Sequence, residues 1–97
     1  MVHHIVLLKL KPDVIRDDSR VREGLAFLIA LRGQIDGIDR WEHGWNFTQR
    51  PIAYDFGLYS SVVSRAALEA YGPHPAHQAA VGKLRELFDW VLCDFEP

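Results

Sequence analysis

The segment His4-Ile5-Val6-Leu7-Leu8-Lys9-Leu10 decides the fold of this 97-residue chain. Side chains alternate between the two faces of a β-strand, so the even-numbered apolar residues of Val6–Leu10 share one face and Ile5 and Leu7 occupy the other. An antiparallel strand that is exposed to water on one side normally alternates apolar with polar residues. The segment therefore predicts a strand that is covered on both faces, and the run ends at Lys11-Pro12.

Periodicity and end signals outline the rest of the chain. They indicate a helix from Asp17-Asp18-Ser19 to about Gly33, strands Ile38–Phe47 and Tyr54–Val63, a short helix capped by Ser64, a helix that starts at Pro75, and a last strand Trp90–Phe95. The order β-α-β-β-α-β predicts an α+β, ferredoxin-like domain over residues 1–97, with a four-stranded antiparallel sheet and its helices on one face.

The helix-free face of this sheet needs a cover of its own. A domain of this length buries only about 60–65% of its unfolded surface, which favours pairing with a second copy. Two sheets packed face to face would form a homodimer, a dimeric α+β barrel. Trp41 and Trp45 share one strand face with His43 between them, and we assign them to that interface.

Composition and charge exclude several classes of partner. The net charge is -2 and the basic residues are scattered, which indicates neither a nucleic-acid-binding nor an anionic-membrane-binding protein. No apolar stretch reaches membrane-spanning length, so we expect a cytoplasmic location. The single cysteine, Cys93, cannot form an intrachain disulfide and is expected to be a buried thiol inside the last strand.

Reactive side chains are concentrated in Tyr71-Gly72-Pro73-His74-Pro75-Ala76-His77-Gln78. His77 lies four and seven residues before Val81 and Leu84, so its ring should point towards the sheet. It also lies in the first helical turn, where the helix dipole and burial both disfavour the charged ring. A neutral imidazole is the form that a general base requires.

Three stretches together resemble the stress-responsive A/B barrel (Dabb) family. They are the opening His4–Lys11, the segment Tyr71–Gln78 with its His-Pro-Ala-His core, and the closing Asp94-Phe95-Glu96. The resemblance runs from end to end and implies the same dimeric α+β barrel. One plant member, olivetolic acid cyclase, closes a linear polyketide with a tyrosine and a histidine beside a cavity between sheet and helices.

The resemblance implies roles for particular residues. Tyr71 matches the tyrosine of the cyclase, His77 its catalytic histidine and His4 a pocket histidine on the first strand. Phe56 falls where the cyclase has another pocket histidine, and Leu28 falls near a pocket tyrosine. Both replacements make the expected ligand-binding pocket more apolar, and they weaken the case for cyclase activity.

The residues leave several alternatives open. His77 is either a general base or a structural residue that fixes the helix start, His74 is either a helix cap or a ligand contact, and His4 either lines the pocket or begins a strand. A site that combined the three histidines could bind a metal, but no carboxylate follows at matching spacing, so neither a metal nor a cofactor is expected.

Whether the protein is an enzyme stays open at this point. The first interpretation is a dimer that binds a hydrophobic small molecule and performs acid–base chemistry on a carbonyl compound. The alternative is a non-catalytic, stress-associated dimer with structural histidines. A cofactor-independent monooxygenase is a third possibility, by analogy of fold alone.

Overall fold

The computed structural model describes residues 1–97. Strand β1 is followed by helix α1, a short 3₁₀ turn, a β-hairpin, two helices and a last strand. The bounds are β1 Val2–Leu10, α1 Ser19–Ile29, the 3₁₀ turn Ala30–Gly33, β2 Ile38–Trp45, β3 Phe56–Val62, α2 Arg65–Tyr71, α3 Pro75–Leu84 and β4 Phe88–Phe95.

The four strands form one antiparallel sheet in the order β2-β3-β1-β4. Strand β1 is an inner strand and pairs with β3 on one side and β4 on the other, with Val6 opposite Leu58 and Leu92. This arrangement confirms the predicted ferredoxin-like α+β fold. Strand β1 is thus the strand on which both β3 and β4 align.

Local signals explain where the helices begin. The Asp18 carboxylate accepts a hydrogen bond from the backbone N–H of Arg20 at 2.9 Å and caps α1. The Ser64 hydroxyl accepts one from the N–H of Ala67 at 3.1 Å and caps α2. Each cap satisfies a backbone donor that the first helical turn leaves free.

The core lies between the sheet and the helices. The buried residues of β1, β3 and β4 that face the helices pack against apolar residues of α1, the 3₁₀ turn and α3. This core includes Leu8, Phe56, Leu58, Phe88, Val21, Leu25, Leu28, Leu31 and Leu84.

The tryptophans of β2 correct one expectation. Trp41 lies opposite Ser60, and Trp45 opposite Phe56, so both side chains and that of His43 are on the helix face of the sheet. Trp41 is only 8% exposed and belongs to the core. The assignment of these residues to the interface on the helix-free face was therefore wrong.

Several element boundaries also differ from the predicted ones. Strand β2 ends at Trp45 because Asn46 begins a turn, with its side-chain amide donating to the Thr48 carbonyl at 2.8 Å. Phe47 therefore lies outside the strand and is 91% exposed. Helix α3 ends at Leu84, and β4 begins at Phe88, two residues before the predicted start at Trp90.

The helix-free face of the sheet is apolar and open to solvent in the single chain. Leu7, Val91 and Phe95 lie on this face and are 42%, 50% and 43% exposed. Cys93 lies on the same face and is exposed, which corrects the expectation of a buried thiol. No helix is both long and apolar enough to span a membrane.

The turn before β2 gives a direct test of the fold. Gly37 has φ +90°, and a Cβ at this position would lie 2.9 Å from the Cβ of Ala67. We expect Gly37→Ala to lower the free energy of unfolding by about 1–3 kcal/mol, because the backbone conformation disfavours a side chain and the space is occupied. Urea unfolding measures this change.

A matched control is Gly33→Ala, at a site where an added Cβ meets nothing within 4 Å. We expect this variant to unfold within about 0.5 kcal/mol of the wild type. Equal stabilities of the two variants would contradict the described turn.

Candidate functional site

The segment that joins α2 to α3 is built by its prolines and by a histidine cap. Helix α2 ends at Tyr71, and α3 begins at Pro75, a residue that suits the first helical position. The His74 ring accepts a hydrogen bond from the backbone N–H of Ala76 to its Nδ1 at 3.0 Å. His74 is thus the helix cap, one of the two roles left open by the sequence.

A cavity of about 240 Å³ lies between the helix face of the sheet and the helices. Most of its walls are apolar, with a few polar side chains grouped on one side. The sheet contributes His4, Val6, Leu8, Leu58, Trp90, Leu92 and Asp94, and the helices and their junction contribute Leu28, Leu68, Tyr71, Gly72, His77, Val81 and Leu84.

The His77 ring is held in one tautomer by the turn that precedes it. Its Nδ1 lies 2.8 Å from the carbonyl oxygen of Gly72. A carbonyl oxygen can only accept, so Nδ1 carries the hydrogen and donates it. The other ring nitrogen, Nε2, is left with a lone pair, and the ring lines the cavity.

Burial keeps this ring neutral near pH 7. The pKa of His77 is lowered from its ordinary value, mainly because burial disfavours the charged ring. The hydrogen bond to Gly72 acts in the opposite direction, and the nearby His4 and His74 lower the pKa further. The direction agrees with the neutral imidazole that the sequence predicts, with burial as the leading cause.

Tyr71 lies between the two cavity histidines. Its ring centroid is 4.8 Å from that of His77 and 5.5 Å from that of His4. The residue is 3% exposed, and burial, together with the charge of Asp94, raises the pKa of its hydroxyl well above the usual range. Tyr71 therefore stays protonated and can donate a hydrogen bond at any physiological pH.

Asp94 is a site residue to which the sequence analysis assigned no role. It lies opposite His4 in the pairing of β1 with β4, and its carboxylate accepts a hydrogen bond from Nδ1 of His4. His4 is 7% exposed, so this contact satisfies a buried ring nitrogen. The signal was present in the sequence, since Asp94 has the same parity as Trp90 and Leu92 and therefore shares their sheet face.

The structure brings together four of the six predicted site residues. His77, Tyr71, His4 and Leu28 all line the cavity. Phe56 and His74 do not.

Phe56 lies further along β3, in edge contact with the Trp45 ring at a centroid distance of 5.2 Å and stacked on His43 at 6.0 Å. The residue of β3 that lines the cavity is Leu58. The assignment of Phe56 to the pocket is therefore corrected, although the residue that takes its place is also apolar.

The geometry also bears on metal binding. No group of three or more His, Cys, Asp or Glu side chains is placed to hold a metal ion. The Nδ1 atoms of all three histidines already have partners, which are Asp94 for His4, the Ala76 N–H for His74 and the Gly72 carbonyl for His77. What the arrangement offers is a protonated hydroxyl beside a neutral imidazole on the wall of an apolar cavity.

Comparison with known proteins identifies relatives along the whole length. An uncharacterised protein of Streptomyces coelicolor is 48% identical over 96 residues, which are 99% of each chain. A dimeric protein of unknown function from Bacteroides fragilis, with a ferredoxin-like fold, is 31% identical, with a TM-score of 0.81 over 99% of this chain and 95% of that one.

The same fold also occurs in an enzyme. The hydroxynitrile lyase of Passiflora edulis superimposes with a TM-score of 0.82 over 97% of this chain and 90% of that one. At 15% identity this likeness concerns the fold alone.

The family assignment rests on the sequence as a whole. Residues 2–97 match the stress responsive A/B barrel domain, Dabb, and the antiparallel sheet has the fold that the resemblance implied. The chain belongs to the Dabb family.

Proposed function

We propose that this protein is a homodimer that binds a hydrophobic carbonyl compound in the cavity and performs acid–base chemistry on it. One observation carries the proposal. The rings of His77 and Tyr71 lie 4.8 Å apart on the wall of an apolar cavity, one as a neutral base and the other as a hydrogen-bond donor. Such a pair can remove a proton and stabilise the oxygen that becomes negative.

The size and lining of the cavity suit a small, mainly apolar ligand. Its volume of about 240 Å³ approaches the lower end of the range for small-molecule pockets, about 300 Å³. Apolar walls with a few convergent polar groups are typical of sites that bind by burial and orient by hydrogen bonding. A molecule with one aromatic ring or a short alkyl chain and one carbonyl group suits these walls.

The proposed step is a proton abstraction next to a carbonyl group. Nε2 of His77 takes the proton from the α-carbon, so a C–H bond breaks and an N–H bond forms. The electron pair moves towards the carbonyl oxygen, which receives a hydrogen bond from the Tyr71 hydroxyl. Return of the proton from His77 to carbon completes the cycle without a net change in the protein.

The partly buried contact between His4 and Asp94 supports this pair from the sheet side. It fixes the orientation of the His4 ring, against which the Tyr71 ring packs at 5.5 Å. Because the Tyr71 ring is held between the His4 and His77 rings, it loses less conformational freedom when a ligand binds. We assign His4 and Asp94 to positioning in this proposal.

The alternative function is that of a non-catalytic dimer. The hydrogen bond from His77 to Gly72 favours it, because the same bond fixes the start of α3 and would be useful in a purely structural role. The two functions differ in whether Nε2 of His77 takes part in proton transfer, which an exchange experiment measures directly.

Deuterium exchange tests the base. In D₂O, the wild-type protein should accelerate replacement of the acetyl protons of 4-propylacetophenone, followed by proton NMR. We expect His77→Gln to reduce this acceleration by at least about 100-fold, the usual contribution of a general base, and Tyr71→Phe to reduce it in part. The same compound should still bind to His77→Gln.

The matched control is His43→Gln. His43 is exposed and lies outside the cavity, so this variant should exchange protons at the wild-type rate. Binding of the ketone without any acceleration over buffer would reject the acid–base role and leave the non-catalytic dimer.

The pH dependence of stability provides a second test. The folded-state pKa of His77 is lowered, so the unfolded chain takes up this proton at a higher pH than the folded chain does. The stability associated with the neutral ring is fully present above about pH 6.5 and is lost as the pH falls through the folded-state pKa. We expect the loss of unfolding free energy between pH 7.5 and 5 to be smaller in His77→Gln than in the wild type.

Urea unfolding at the two pH values measures this difference. Equal pH dependence in His77→Gln and the wild type would mean that the His77 ring is not held neutral by the fold.

The homodimer is proposed to form through the helix-free face. The open apolar side chains of that face support this arrangement, as does the dimeric state of the Bacteroides fragilis relative. A carboxylate in the centre of such an interface would be buried without a partner. We expect Leu7→Glu to weaken the dimer at least tenfold, measured by sedimentation velocity at micromolar concentration.

Ile15→Glu is the matched control, because Ile15 is 64% exposed but lies in the loop before α1. This variant should sediment as the wild type does. A monomeric wild-type protein, or a dimer that tolerates Leu7→Glu, would contradict the proposed interface.

A further inference from the structure

Charged side chains surround the side of the cavity where β4 ends. Asp94 lines the cavity and also a shallow depression beside it, which shares Leu68 with the cavity as well. The depression is further lined by Arg65, Glu69 and Glu96. Asp94 therefore lies between the cavity and a depression that holds two further carboxylates and one guanidinium group.

The guanidinium group is already paired. Nε of Arg65 donates to a carboxylate oxygen of Glu96, and this contact lowers the pKa of Glu96 and raises that of Arg65. The two charges therefore persist and offset each other. Glu69 and Asp94 are left as the excess, and the Asp94 carboxylate accepts a hydrogen bond from the His4 ring.

The negative charge of Asp94 acts on the Tyr71 hydroxyl. Its charge is one of the two causes that keep the Tyr71 hydroxyl protonated, which means that a negative oxygen at that position is disfavoured. The same repulsion would act on an anionic ligand whose charged group approached the Tyr71 hydroxyl. Tyr71 is 3% exposed, so a ligand charge that approached it without a partner would lose hydration, although the Asp94 side chain itself is 32% exposed.

We infer that the cavity selects uncharged ligands and rejects carboxylates and phosphates, with Asp94 as the residue that determines this choice. The inference rests on the proposed binding of a carbonyl compound and adds that this compound is uncharged. It is compatible with the proposed step, because the enolate forms together with the imidazolium of His77 and the pair remains neutral. A carboxylate brings a full charge into the cavity before any proton moves.

Three probes of equal shape test the inference. They are 4-propylacetophenone, 4-propylbenzamide and 4-propylbenzoate, of which only the last is charged at pH 7.5. Isothermal titration calorimetry with the full-length protein should give at least tenfold tighter binding of the ketone and the amide than of the benzoate. We expect Asp94→Asn to reduce this ratio at least threefold.

A second variant separates charge from structure. Glu69→Gln leaves the contact between His4 and Asp94 intact and should also reduce the ratio, by a smaller factor. Glu86→Gln removes a carboxylate that lines neither the cavity nor the depression and should leave the ratio unchanged.

The outcomes distinguish the inference from the proposed function. If the wild type binds the benzoate as tightly as the ketone, or if Asp94→Asn leaves the ratio unchanged, the charge selection by Asp94 is overturned while ligand binding stands. If none of the three probes binds at millimolar concentration, the proposed binding function is rejected and this inference with it.

Discussion

The structure depends on a single inner strand that is apolar on both faces. Strand β1 pairs with two neighbours and contributes Leu8 to the core on one face and Leu7 to the open surface on the other. The helices cover the first face and leave the second without partners in the single chain. The hydrophobic effect thus favours covering of both faces of one sheet, of which the helices of the chain cover the first.

The candidate site forms where the helices do not fully cover their face of the sheet. The junction of α2 and α3 spans the gap above β1 and β4, and one backbone carbonyl, that of Gly72, holds the His77 ring in place. The same short turn ends one helix, starts the next and sets the tautomer of a histidine. The hydrogen bond from His77 to Gly72 therefore fixes both the backbone turn and the tautomer of the ring. A histidine that stabilises the start of a helix can still present a free lone pair on Nε2.

Much of the fold and part of the candidate site could be predicted from the sequence, because these features follow from local periodicity. The element order, the inward direction of His77 and its neutral ring all follow from spacing and from its place in a helical turn. The face of the sheet on which Trp41 lies could not be predicted, since alternation shows which residues share a face but not which face it is. The positions of Phe56 and Leu58 relative to the cavity depend on strand register, which no local pattern encodes.

The contact between His4 and Asp94 links strands β1 and β4 across a sequence separation of 90 residues. Tyr71 and His77 lie on the segment between these two strands. The cavity has one wall missing until β4 pairs with β1, so the site is complete only when these strands are joined. Any ligand that bound there would stabilise the paired form of β4, so that ligand binding and strand docking become coupled equilibria.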